Sequence, residues 1–340
     1  MPTLAAGVPE VLTRHLPAIE VSLRAAITSE NSELVSAARY VMGWEDASGA
    51  STRNEGKRIR PALCLFGAEA VGGSATDAMP GAVAVELIHN FSLVHDEVQD
   101  RDAERHHRPT AWRIFGEGQA INLGDYLYSR AFAALLGGQG KADRQIAAFN
   151  VLNRAVSRMI AGQWEDIAFE TRDDVTVEEY LAMSAGKTGA LLGAPLEMGA
   201  LLAGGNAETA ATLGRWGAEV GLAFQAWDDY LGTWGDSDET GKSTTNDIAR
   251  KKKTLPVVYG LAHPAAARVI RGAYTLPALG EREIEAVAST LREIGADELC
   301  RRAASQHAEA ADALLASLTL PADVREHFRA VGGYFYQRGA

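Results

Sequence analysis

Apolar residues recur at spacings of three and four through most of the chain, whereas the strict alternation of apolar and polar positions that marks a half-buried strand is scarce. With Ala, Leu, Glu and Arg prominent, the pattern predicts an all-α protein. Helices are expected over 8–43, 58–72, 78–101, 117–136, 141–171, 176–203, 207–232, 254–262, 280–293 and 296–316, with a last one over 321–338 closing a bundle. Glycine, proline and charge fill the gaps, at 49–56, at 102–109 and above all at 232–253. This last stretch is polar, long for a compact domain, and holds Asp236, Lys242, Asp247 and Lys252, so it reads as a substrate-ordered lid rather than a linker. No internal repeat interrupts the pattern, and a single large helical domain is expected for all 340 residues.

Charge narrows the function. The chain carries 44 acidic against 33 basic residues, a formal net charge of -11, so its overall field does not favour nucleic acid or an anionic membrane surface. An anionic ligand therefore needs a local basic site. The two cysteines, Cys64 and Cys300, are far apart and lack metal-ligand spacing, which fits a reducing compartment and no structural zinc. Glu10, Arg14 and Glu20 break up the first apolar residues, and no run of roughly 18 apolar residues occurs, so neither a signal peptide nor a membrane span is predicted. A soluble, cytoplasmic protein is expected.

The chemistry concentrates at two helix ends. Asp96 and Asp100 are four residues apart, which places their carboxylates on one helical face about 6 Å apart along the axis. Leu87, Ile88, Phe91, Leu93 and Val94 make the helix before them apolar. Two like charges one turn apart repel, and a hard cation such as Mg²⁺, which takes one or two carboxylates together with substrate phosphates, relieves them. The pattern returns downstream, where Asp228 and Asp229 follow Gln225 by three and four residues on an equally apolar helix. A bland reading, solvated helix ends paired with Arg101 and Arg105, accounts for the first cluster alone but not for both. Cations are at hand in short segments: Lys57, Arg58 and Arg60; Arg105 and Arg108; Lys187; Lys242; and Lys251 to Lys253.

Taken in order, these segments resemble the trans-isoprenyl diphosphate synthase family, and within it the bacterial geranylgeranyl diphosphate synthases. The resemblance spans about Gly56 to Pro256. It is carried by Gly56-Lys57-Arg58-Ile59-Arg60-Pro61; by Glu86 to Asp100 leading into Arg105 and Arg108-Pro109-Thr110; by Gly124-Asp125; by Gly162-Gln163 with Asp166; by Lys187-Thr188-Gly189; by Phe224-Gln225 with Asp228-Asp229; and by Gly241-Lys242 with Asp247, Lys252 and Leu255-Pro256. The resemblance implies a helical bundle around a central cavity, acting as a homodimer on prenyl diphosphates. It further implies Asp96 and Asp100 as ligands of two Mg²⁺ ions and Asp228 as the ligand of a third. Arg105, Lys187, Lys242 and Lys252 then correspond to contacts to the allylic diphosphate, Lys57, Arg60 and His89 to the isopentenyl diphosphate site, and Thr188 and Gln225 to groups that stabilise the cation at the reacting carbon.

Three positions depart from the family pattern: Glu97 replaces the second aspartate of the first motif, Gly232 the last aspartate of the second, and His106 an arginine of the isopentenyl diphosphate site. The imidazole of His106 is shorter than a guanidinium and cannot make a forked contact. A terpene synthase that ionises one prenyl diphosphate without extending it is therefore the main alternative, and a non-catalytic subunit of a heteromeric synthase the second. Phe91, beside Ser92 and about 7.5 Å below Asp96 along the axis, bounds the cavity and implies a fifteen- or twenty-carbon product, the longer favoured. A di-iron reading of Glu86 and His89 requires a second Glu-x-x-His pair, which is not found, and leaves the lysines unexplained.

Overall fold

The computed structural model describes residues 7–52, 56–105, 107–138, 140–235 and 246–336. Among these residues the all-α expectation holds. The strands form one small hairpin, Glu104–Arg105 antiparallel to Arg108–Pro109, besides a single bridge between Glu45 and Ser51.

The first predicted helix is in fact three pieces: a 3-10 turn at Glu10–Leu12, α1 (Leu16–Ala26) and α2 (Ser32–Val41). The break before α2 has a local cause, because the Asn31 side chain accepts hydrogen bonds from the Glu33 and Leu34 amides and so starts a new helix. α3 (Ile59–Ala70) and α4 (Ala75–Gln99) follow, then α5 (Ala111–Phe115) and α6 (Glu117–Gly137). α7 (Ala142–Phe169) leads to α8 (Val177–Ser184), whose start is fixed by a capping box between Thr176 and Glu179. The predicted helix 176–203 is interrupted by one π turn, Ala185–Gly189, before α9 (Ala190–Leu202). α10 (Ala207–Trp234), a single turn α11 (Asn246–Ala249), and α12 (Leu255–Leu261) come next. α13 (Pro264–Tyr274), which the periodicity leaves unassigned, starts with proline in its first turn, where the missing N–H costs nothing. α14 (Glu281–Glu293), α15 (Ala296–Ser317) and α16 (Ala322–Tyr336) complete the chain. Residues 236–245 of the predicted lid, Asp236 and Lys242 among them, lie outside the described residues.

The helices pack as two compact units. The first comprises Glu10–Arg154 and Ala194–Ala211; the second is built chiefly from Ala155–Gly193 and the chain from Thr212 on. At the centre of the first, α4 is apolar nearly all round, and Ala78, Ala82, Val85, Leu87 and Ile88 are buried, α4 packing on α3 and α6. The second unit has two cores. Phe169, Tyr180, Met183, Ala226, Leu255 and Val258 form one, and Ile248, Val257, Ile270, Val287 and Leu291 form the other. No described helix is long and apolar enough to cross a membrane.

Candidate active site

In the first unit, α4 runs unbroken to its acidic end, where Asp96 is half-buried and Asp100 is the exposed C-cap residue. Glu97 faces elsewhere. It is buried, 2.9 Å from the Arg105 guanidinium and hydrogen-bonded by the Ala111 amide, and burial raises its carboxyl pKa against both of these partners. The substitution of glutamate for the familiar aspartate thus concerns a residue that anchors Arg105, delivered by the hairpin that follows α4.

Around the start of α3, facing His89 of α4, lies a nest of cations. Arg58, with φ of 48°, adopts a left-handed conformation unusual for a residue with a side chain, and its surroundings over-determine it. Its Nε donates to Glu20 at 2.6 Å, one terminal nitrogen to Glu86 at 2.9 Å and the other to the Met42 carbonyl at 2.8 Å. This clamp leaves Lys57 exposed and brings Arg60 onto the first turn of α3. The Nε of Arg60 is buried with no hydrogen-bond partner among the described residues. Beside it, burial first, and then the charges of Arg60, Arg105 and Arg58, hold the His89 imidazole well below its usual pKa. Glu86 spends its Oε1 on Arg58 and Asn90, at 2.9 and 3.3 Å.

Below the acidic end, Phe91 is buried and begins a chain of edge-to-face aromatic contacts: 4.8 Å to His95, 5.2 Å to Tyr128, then Tyr128 to Phe132 at 4.9 Å and Phe132 to Phe149 at 5.2 Å. Ser92 turns its hydroxyl back to the His89 carbonyl at 2.8 Å.

In the second unit the π turn carries Lys187 and Thr188. A side chain at Gly162 of α7 would collide with the Lys187 amide, one at Gly186 with the Arg158 carbonyl, and one at Gly221 of α10 would press on Gly189. Glycines thus let the backbones of α7 and α10 close on this turn. Lys187 pairs with Asp166 at 2.5 Å. The Thr188 hydroxyl donates to Gln225 Oε1 at 2.9 Å, Gln225 Nε2 donates to Asp229 Oδ1 at 2.9 Å, and Asp229 Oδ2 accepts from the Tyr180 hydroxyl at 2.5 Å and the Leu255 amide at 3.1 Å. Asp229 is only 2% exposed, and burial drives its pKa up to about 7 although these hydrogen bonds oppose the rise. Its neighbour Asp228 is only half-buried. The two aspartates of the second motif therefore occupy different environments.

Likeness to known proteins extends well past the motif segments. Residues 44–291 fit the family model for polyprenyl synthetases. A geranylgeranyl diphosphate synthase of Mycobacterium tuberculosis is 41% identical over 86% of this chain and 84% of its own length. A (2E,6E)-farnesyl diphosphate synthase of the same species is 39% identical over 88% and 85%. The crystal structure of a polyprenyl synthetase from Streptomyces coelicolor superposes with a TM-score of 0.89 at 38% identity, covering 96% of this chain and 98% of that one. The chain belongs to the polyprenyl synthetase family. It is accordingly a prenyltransferase of isoprenoid biosynthesis.

Within this polyprenyl synthetase, the structure brings Arg60, His89 and Arg105 together in the first unit and links Thr188 to Gln225 in the second. Lys252 is exposed between two anchored neighbours: Lys251 donates to the Leu276 carbonyl, and Lys253 to the Arg172 carbonyl and, at 3.1 Å, to Asp173. Lys242 and His106 lie outside the described residues. A side chain at Gly232 would meet the end of the Asp247 side chain, which would have to turn aside. Among the described residues no group of three His, Cys, Asp or Glu side chains could hold a metal ion on protein ligands alone. Residues that sequence reasoning missed are those acting through others: Glu20 and Glu86 on Arg58, Glu97 on Arg105, and Tyr180 with Asp229 on Gln225.

Proposed function

We propose that this polyprenyl synthetase is a Mg²⁺-dependent trans-prenyltransferase that joins an allylic prenyl diphosphate to isopentenyl diphosphate and stops at a fifteen- to twenty-carbon product, geranylgeranyl diphosphate being favoured. The observation that carries the condensation is the buried, unpartnered Nε of Arg60 beside a neutral His89. Donors buried without acceptors cost free energy, and a second diphosphate satisfies them. A synthase acting on one prenyl diphosphate has no use for this nest.

The candidate ligands Asp96, Asp100 and Asp228 are all carboxylates, the donor type Mg²⁺ takes, and an ion that lacks a third protein ligand completes its shell with phosphate oxygens, as Mg²⁺ commonly does. When bound, the ions neutralise charge that develops on the departing diphosphate. Lys187, steadied by Asp166, Arg105, Lys242 and Lys252 grip the same diphosphate. The allylic C–O bond breaks with its electron pair on oxygen, and the Thr188 and Gln225 oxygens face the cation left on carbon. The isopentenyl double bond then forms the new C–C bond, and the adjacent proton leaves to the diphosphate. Phe91 and the rings behind it limit the growing tail.

Both units are taken to work as one isoprenoid-synthase domain, in the cytoplasm and as a homodimer. In support of the dimer, Ile146, Ile160, Trp164 and Ile167 are exposed on α7, with Trp164 78% exposed. The test is product analysis by mass after incubation with Mg²⁺ and farnesyl diphosphate, with and without isopentenyl diphosphate. A diphosphate longer by five carbons, formed only when both are present, is expected. A hydrocarbon or alcohol from the allylic substrate alone contradicts the proposal and fits the weakened site at His106; no turnover at all fits a non-catalytic subunit.

A further inference from the structure

The second acidic motif offers two adjacent aspartates, yet only Asp228 is placed to meet solvent and ligands. Asp229 is buried and spends both oxygens inside the second unit: Oδ2 accepts from the Tyr180 hydroxyl and the Leu255 amide, and Oδ1 accepts from Gln225 Nε2. A side-chain amide can sit in either of two orientations half a turn apart, and its neighbours choose between them. In the structure Gln225 Nε2 donates to Asp229 Oδ1 at 2.9 Å, and an ionised carboxyl there can only accept, so ionised Asp229 holds Gln225 with its NH₂ inward and its Oε1 toward Thr188. The Thr188 hydroxyl has one proton, which it gives to that oxygen at 2.9 Å. What Thr188 and Gln225 then offer outward is electron pairs, not protons.

We propose that Asp229, held by Tyr180 and the Leu255 amide, is a positioning residue that sets the polarity of the Gln225–Thr188 oxygen pair, so that both oxygens present their negative ends to the allylic cation. This rests on the functional reading above, which gives those two oxygens the cation to stabilise. Reversing the amide would turn the Thr188 proton outward and oppose the developing positive charge. A buried carboxylate that meets neither metal nor substrate thereby acts on the reacting carbon through two hydrogen bonds.

Asp229→Asn tests this without changing shape. Tyr180 and Leu255 both donate, so the new amide must turn its oxygen to them and its NH₂ to Gln225, which forces Gln225 to reverse. Expected is a loss in kcat on the order of 10²-fold, comparable to removing one preorganised group that stabilises transition-state charge, with KM for the allylic substrate within about twofold and far-UV circular dichroism unchanged. Adding Gln225→Glu restores a group that accepts both from the amide introduced at position 229 and from Thr188, and the double variant is expected to regain at least tenfold of the lost kcat. A purely structural role for Asp229 gives no such rescue. If Asp229→Asn alone fails to fold, the double variant decides, since all its partners match: it should fold and turn over within about tenfold of the wild type, and a folded but inactive double variant overturns the proposal. Activity is read as diphosphate release with and without isopentenyl diphosphate. A wild type that releases none under either condition overturns both the functional reading and this proposal. A wild type that turns over, with Asp229→Asn equal to it, or with a double variant no better than Asp229→Asn, overturns this proposal alone.

Discussion

Gly232 shows how one position can look like a defect in a motif and be a fit in space. The familiar aspartate there would bring its Cβ against the end of the Asp247 side chain, adding a second negative charge. Because the atom met is the end of a side chain that can turn aside, Gly232→Asp is expected to cost about 1 kcal/mol or less, measured by urea unfolding; a loss above about 3 kcal/mol would show that Asp247 is held too firmly to give way. His89 carries a pH signature of its own. Its folded pKa is depressed by burial and by Arg60, Arg105 and Arg58, so below the unfolded value of about 6.5 the unfolded chain takes up a proton that the folded chain refuses. Stability from this group is present above that pH and is lost as the pH falls toward the depressed folded pKa. Unfolding free energies measured from pH 7.5 to 5 should fall less steeply for His89→Gln than for the wild type, and identical slopes would show that the ring is not held neutral. The family resemblance set Arg60 with His89 and assigned Arg105 to a different diphosphate, whereas the structure brings all three near one another; nor could it reveal that Arg58, in the same short run as Arg60, is buried and spoken for. Its left-handed backbone and its bonds to Glu20, Glu86 and Met42 depend on residues distant in sequence.

Among the elements, the π turn at Ala185–Gly189 is one that periodicity could not show, since it is a single turn between the apolar patterns of α8 and α9. It matters because it carries Lys187 and Thr188, and because backbone carbonyls and amides, not side chains, surround it at Gly162 and Gly186. Gly186→Ala pushes a methyl onto the Arg158 carbonyl, 2.7 Å from the position of its Cβ. The expected result is a loss of kcat of at least tenfold, out of proportion to a stability loss of about 1–3 kcal/mol, read by diphosphate release on protein confirmed folded at the assay temperature. Full activity would detach the turn from the chemistry. The long helices α4, α6, α7 and α10 were legible because their apolar spacing persists for many turns. The 8–43 segment was not, because Asn31 caps a new helix with hydrogen bonds that hydrophobic spacing does not register.

For the molecule as a whole, the order of motifs along the chain sufficed to identify the family, and the family model covers the same stretch. What order could not supply was the division of labour within each motif. Asp96 and Asp228 remain candidates for metal while Glu97 and Asp229, each the very next residue, turn inward to Arg105 and to Tyr180 with Gln225. Helical geometry separates neighbours by about 100°, yet which of two adjacent carboxylates is buried depends on partners contributed by other parts of the chain. The account as a whole depends on divalent ions carried by Asp96, Asp100 and Asp228 gripping a prenyl diphosphate. Calorimetric binding of a thiolo analogue of farnesyl diphosphate, which resists ionisation, tests that grip most directly. Tight binding is expected only with Mg²⁺, weakened at least a hundredfold by chelation and, separately, by Asp96→Ala and by Asp228→Ala in folded protein; affinity that survives chelation or either substitution would contradict it.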